Sequence, residues 1–201
     1  KGPDVSSNIQ LKALIEKAKE FNMPKENIER AIKKGTGELV GEALEEVSFE
    51  GFGPGGTTLI IDGITDNKNR TLGEIKGILN QYDGKMAGEG AVRWMFEKKG
   101  LIIINPEGKS KEELELLAIE AGAEDIKETG TNLEIYTKPE NIDAVKKYLE
   151  EKVITIENSS VEFVAKEEVT LGEKDKEKNQ KLFEALDEND AVQNIYSNLK
   201  V

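Results

Sequence analysis

The chain has 201 residues, 37% of them hydrophobic and 34% charged, and a net charge of −12. That is too apolar for a disordered polymer, and no apolar run reaches the ~20 residues a membrane-spanning helix needs. Cysteine and histidine are both absent, which excludes disulfides, thiolate nucleophiles, imidazole triads and the usual zinc sites. Charge is unevenly spread: residues 1–37 carry 8 basic and 5 acidic side chains, the remainder 20 against 35. A positive head on an acidic body makes any nucleic-acid contact local, and the acidity of the body reads as ordinary solubility.

Leu11, Leu14, Ile15, Ala18 and Phe21 recur at three- and four-residue steps and predict a helix ending near Asn22. Pro24 opens a second helix, stopped by Gly35 and Gly37. In it Ile28, Ala31 and Ile32 form a narrow apolar stripe, and Arg30, Lys33 and Lys34 fall on the other side. A linker is expected over Gly35 to Gly41. Val47 to Phe52 and the β-branched run Thr57 to Ile64 read as strands joined by a glycine-rich turn. Thr71 and Glu74 form a T-x-x-E capping box ahead of a helix carrying Leu72, Ile75, Ile78, Leu79 and Tyr82. After the loop Gly84 to Gly90, alternation of Val92, Trp94 and Phe96 predicts a strand with those three side chains in a core, a reading preferred for Trp94 and Phe96 over stacking on bases.

The middle of the chain reads βαββαβ. Leu101 to Ile104 is a strand, and Ser110 with Glu113 caps a helix bearing Leu114, Leu117, Ala118 and Ala121. Strands near Ile126 and from Leu133 to Thr137 follow, then a helix opened by Pro139, then Val161 to Val164. That order is the ferredoxin-like split βαβ sandwich. The helix Lys174 to Glu188 and strand Val192 to Tyr196 lack a neighbour in sequence and are expected to return to the sheet begun at Val47. The class is therefore α+β, with three domains: a helical head at 1–40, a discontinuous α/β unit of 41–98 plus 171–201, and a ferredoxin-like insertion at 99–170.

Two loops and one helix carry the candidate nucleic-acid contacts. The turn Gly53, Pro54, Gly55, Gly56 lets a backbone approach closely, but it lacks the lysine and hydroxyl of a phosphate-binding loop. A plain turn between strands accounts for it on sequence grounds. Asp66, Asn67, Asn69 and Arg70 crowd planar polar groups ahead of a helix. Such groups grip phosphates and base edges, and equally they hold turns by bonding their own backbone. Arg30, Lys33 and Lys34 form a basic helical face suited to a nucleic-acid backbone, with Lys25 assisting from the helix start; the alternative is an ordinary solvated face with Glu26 nearby. Lys85, Met86, Gly88 and Gly90 make a further candidate, a probing loop with an exposed tip. The clusters Glu112, Glu113, Glu115 and Asp187, Glu188, Asp190 read as surface charge, so no catalytic residue, metal or cofactor is expected.

Taken together, NMPKENIERAIKKGTGE (22–38), FEGFGPGG (49–56), TDNKNRT (65–71), GEGAVRWMFEKKG (88–100) and DAVQNIYSN (190–198) resemble the YebC/PmpR family, whose mitochondrial relatives include the translational activator of cytochrome oxidase subunit one. Five stretches in register span nearly the whole chain. The resemblance implies a helical domain followed by two α/β domains, one inserted in the other, and a non-enzymatic role in gene expression. It offers two mechanisms: a ribosome-associated translation factor that helps synthesis through sequences such as proline runs, or a DNA-binding transcriptional regulator. Partners are accordingly the ribosome or RNA, alternatively duplex DNA, with no membrane. Family members usually begin with a basic segment ahead of the point where this sequence opens, at KGPDVSSN. No secretory signal precedes the fold, so a cytoplasmic location is expected, and the start at Lys1 rather than methionine leaves room for a preceding segment. The sequence does not fix the oligomeric state, a monomer being the default expectation.

Overall fold

The computed structural model describes residues 8–20, 23–36, 44–106 and 108–200. The head contributes two helices, α1 (Ile9–Glu20) and α2 (Lys25–Gly35). Phe21, Asn22 and the expected linker after Thr36 lie outside the described residues. Leu14, assigned by periodicity to the apolar face of α1, is 64% exposed. On α2 the predicted stripe narrows to a buried Ile28 and a half-buried Ile32, with Ala31 exposed. Two short helices in contact have little surface to share, so only the innermost side chain loses its water.

Two four-stranded antiparallel sheets follow among the described residues. The first is built from β1 (Glu45–Phe52), β2 (Thr58–Thr65), β3 (Lys85–Met86) and β8 (Val192–Ser197), in the order β3-β1-β2-β8. Helices α3 (Lys68–Gln81) and α6 (Glu173–Asp187) cover one of its faces. Val47, Phe49, Leu59 and Ile61 point to them and meet Ile75, Leu79, Leu182 and Leu186. Strand β8 pairs with β2 although more than 120 residues separate them in sequence, because β2 is the edge left unpaired once β1 has formed its hairpin.

The second sheet contains β4 (Phe96–Ile104), β5 (Asp125–Thr129), β6 (Asn132–Thr137) and β7 (Ile156–Ala165), ordered β5-β6-β4-β7. With α4 (Lys111–Ala121) and α5 (Ile142–Glu151) on one face, this is the strand order of a ferredoxin-like sandwich. Ile102, Ile104, Leu133 and Ile135 pack there against Leu114, Ala118, Val145 and Leu149. The Ser110 cap forms as the spacing predicts, its hydroxyl accepting from the Glu113 N–H at 3.2 Å. A third cluster joins the sheets: Ile60, Val92 and Phe96 are buried together, with Met95, Phe163, Ala165 and Tyr196 against them.

Two local expectations are overturned. Helix α3 starts at Lys68, three residues before the predicted box, with Asn67 as its cap. Thr71 is instead buried inside the first turn, sharing a hydrogen bond of 2.8 Å with Thr65. Residues Arg93–Met95 form a short 3₁₀ turn, and the strand starts only at Phe96. Val92 and Phe96 are core residues, but Trp94 is 67% exposed, since a turn at that point directs it away from the face its neighbours share.

Candidate nucleic-acid interface

Helix α2 displays Arg30 and Lys33 as the 3.6-residue period requires. Lys25, Arg30 and Lys33 are exposed and Lys34 is half-buried. The Lys25 ammonium lies 3.6 Å from the Glu29 carboxylate one turn on, a solvent-screened pair of little energetic weight. Lys33 and Lys34 occupy the last turn, where the partial negative charge of unpaired carbonyls favours cations. Lys33 thus serves the helix while its charge stays exposed.

The Gly53–Gly56 turn is anchored from beneath. Asn179 of α6 is fully buried; its amide donates to the Pro54 carbonyl at 2.9 Å and its oxygen accepts the Thr57 hydroxyl at 2.8 Å. Gly53 is there for space, because a Cβ would sit 2.5 Å from Thr57 Oγ1 and 2.7 Å from Asn179 Oδ1. Gly55 and Gly56 are exposed with φ of 71° and 81°, a left-handed backbone that glycine tolerates.

In the Asp66 to Arg70 loop most polar groups turn inward on the chain. Asn67 Oδ1 accepts the Arg70 N–H at 3.0 Å, and the Arg70 guanidinium donates to Asp66 at 2.6 Å. Glu74 lies 3.7 Å from the same guanidinium. Asn69 is exposed. The two loops do not adjoin: the glycine turn precedes β2 and the Asp66 loop follows it, so the eight residues of β2 hold them roughly 25 Å apart at ~3.3 Å per residue.

The predicted probing loop is also revised. Lys85 and Met86 form β3 against Phe52 and Gly51, and Met86 is half-buried against the core beneath the first sheet. Gly88 and Gly90 are exposed, but the segment they begin is clamped. Glu50, 3% exposed, accepts the N–H groups of Gly90 and Val92 at 2.8 Å and of Arg93 at 3.1 Å. The Arg93 Nε lies 3.4 Å from the same carboxylate, and its Nη2 donates to Ser48 at 2.5 Å. Burial pushes the Glu50 carboxyl up, yet these donors outweigh it and hold the group below its ordinary 4.5. Sequence alternation puts Glu50 on the face away from α3 and α6 but carries no sign of a partner 40 residues away.

A cleft of about 270 Å³ opens on the far face of the second sheet beside Lys99, Lys127 and Lys166, with Glu97, Asp125 and Tyr136 among its walls. Its charge is mixed: Lys99 reaches Glu97 and Glu124 at 3.9 and 3.6 Å, and Lys127 meets Glu168 at 3.1 Å. Among the described residues no group of three or more carboxylates is set to hold a metal ion, and no helix is long and apolar enough to cross a membrane.

Comparison with known proteins agrees along the chain. Residues 44–199 match the TACO1/YebC second and third domain, and residues 1–38 the TACO1/YebC protein N-terminal domain. A probable transcriptional regulatory protein of Thermoanaerobacter pseudethanolicus is 45% identical over 201 residues, covering 100% of this chain and 82% of that protein. Another so named, from Thermotoga petrophila, is 48% identical over all of this chain and 79% of its own length. The crystal structure of a conserved hypothetical protein from Aquifex aeolicus superposes with a TM-score of 0.85 at 42% identity, covering 99% of this chain and 82% of that one. With both domain matches and a shared architecture from head to final strand, this chain belongs to the TACO1/YebC family.

Proposed function

We propose that this protein is a non-enzymatic gene-expression factor that associates with the ribosome in the cytoplasm and supports translation, including through difficult stretches such as runs of proline. The observation that carries the reading is the exposed basic face of α2, Lys25, Arg30 and Lys33, on a head of net +3 attached to a remainder of −15. Long duplex DNA repels such a body, whereas a ribosome offers RNA to the head and basic protein surfaces to the rest. In this arrangement α2 meets phosphates with Lys34 assisting, and Gly55 and Gly56 allow close backbone approach at a separate point. The Asp66, Asn67, Asn69 and Arg70 loop contributes chiefly through Asn69. We assign three domains to the work: 1–40, 41–98 with 171–201, and 99–170.

The names that the relatives carry favour a second reading, a DNA-binding transcriptional regulator. In that case α2 enters a major groove and base identity alters affinity. Sucrose-gradient co-sedimentation with purified ribosomes, in excess duplex DNA and at rising salt, separates the two. Retention with the ribosome supports the translation factor. Stripping by DNA, or failure to sediment, favours the regulator.

A further inference from the structure

Trp94 is the chain's single tryptophan, and two-thirds of it, 67%, is open to solvent. Its surroundings hold it in place. The buried Glu50 carboxylate binds the backbone of Gly90, Val92 and Arg93 just ahead of it, and Val92 and Phe96 on either side are sunk in the cluster joining the two sheets. The indole Nε1–H donates to the Ala91 carbonyl at 3.0 Å. The ring's one polar hydrogen is therefore already satisfied, and its π surface is what it has left to offer.

Cations lie close to the same segment. Lys166 Nζ donates to the Trp94 carbonyl at 2.8 Å. Arg93 and Lys98 lie over the Phe163 ring, 5.2 and 5.0 Å from its centre. Lys98 shares its face of β4 with Phe96, and Glu97 lies on the opposite face, where it lines the cleft together with Lys166. A protein partner's hot spot would surround a tryptophan with apolar contacts; a nucleic-acid strand needs an aromatic platform with positive charge beside it.

We propose that Trp94 stacks on an unpaired base of a single-stranded nucleic acid, with Lys166 and Lys98 beside the flanking phosphates. Duplexes do not fit, because their bases present no free face. The site shares with the ribosome reading only the premise that the chain touches nucleic acid, and it lies on a different element from α2.

The lone tryptophan supplies the test. The full chain is titrated with single-stranded RNA and single-stranded DNA of one mixed sequence, and with the corresponding duplex, reading indole emission and the anisotropy of labelled strands. Single strands quench the emission and duplex does not; Trp94→Ala weakens strand binding about tenfold and Trp94→Phe keeps most of it. The RNA and DNA arms show which sugar is preferred. Circular dichroism checks the variants' folding, and the quenching arm needs no variant. Absence of strand binding, binding with unchanged emission, unchanged affinity of Trp94→Ala, or equal competition by duplex would each overturn the site. Ribosome sedimentation is read on the same preparation. Sedimentation without quenching removes the Trp94 site and leaves the ribosome reading, and quenching without sedimentation does the reverse.

Discussion

Glu50 accepts the backbone N–H of Val92 at 2.8 Å across 42 residues of sequence, tying the middle of β1 to the segment that leads into the second sheet. Both carboxylate oxygens are used as acceptors: Oε1 by Gly90 and the Arg93 side chain, Oε2 by Val92 and the Arg93 N–H. An amide of the same shape must turn an NH₂ toward one of these donor pairs. Glu50→Gln should therefore cost about 2–4 kcal/mol, the range for leaving one or two of these donors facing an NH₂ group. For a chain of this size that lowers the thermal midpoint by roughly 4–16 °C. Amide exchange at Gly90, Val92 and Arg93 should accelerate most, and an unchanged midpoint would show that the clamp contributes nothing.

The same carboxylate predicts an acid dependence. Its pKa in the fold lies below the ordinary 4.5, so the native state holds this proton less tightly than the unfolded chain. Its contribution is then fully present above pH 4.5 and is lost as pH falls through the folded-state value. The stability gap between the wild type and Glu50→Gln should be constant near neutrality and narrow on acidification below that point. Denaturant melts at a series of pH values measure it; a gap that widens toward acid contradicts the assignment.

At the glycine turn, two glycines are required for different reasons and should respond differently. Gly56→Ala meets no neighbour within 4 Å but must hold φ near 81°, costing about 1 kcal/mol. Gly53→Ala has an ordinary φ of −98° but collides with Thr57 and Asn179, costing roughly 1–3 kcal/mol as an overpacked site. Asn179→Ala removes three hydrogen bonds, to Thr57, Pro54 and Asp175, and should cost about 2–3 kcal/mol. Because Gly53→Ala already forces the Thr57–Asn179 bond apart, the double variant should lose less than the two single costs together. Full additivity in urea melts would mean that the two residues act independently.

Features set by near neighbours are readable along the chain. The Ser110 cap, the apolar stripe of α4 and the strand order of the ferredoxin-like sandwich all follow from spacing. Where two local signals compete, tertiary contact decides: Thr71-x-x-Glu74 has the form of a capping box, but Asn67 caps four residues earlier because Thr71 is drawn inward to Thr65. Trp94 defeats the period-two pattern because a 3₁₀ turn can bury Val92 and Phe96 four residues apart while turning the residue between them outward. Of the candidate contacts, the α2 face is legible from helical period alone. The separation of the two loops is implicit in the length of β2 between them. The clamp is not, since nothing near Glu50 in sequence announces Gly90 or Val92.

If α2 meets ribosomal RNA, replacing its cations and replacing Arg70 should have sharply different effects. Arg30 and Lys33 are exposed on the positive head, whereas the Arg70 guanidinium is already shared between Asp66 at 2.6 Å and Glu74 at 3.7 Å. Recruiting Arg70 to a phosphate means giving up those partners, so little is gained. Arg30→Glu with Lys33→Glu should release the protein from ribosomes at markedly lower salt, and the log–log salt slope should fall by about 0.7–0.9 for each phosphate no longer neutralised. Arg70→Ala should leave both midpoint and slope close to wild type. A larger effect of Arg70→Ala than of the α2 variant would move the interface from the head to the Asp66 end of the first sheet, where α3 rather than α2 would face the nucleic acid.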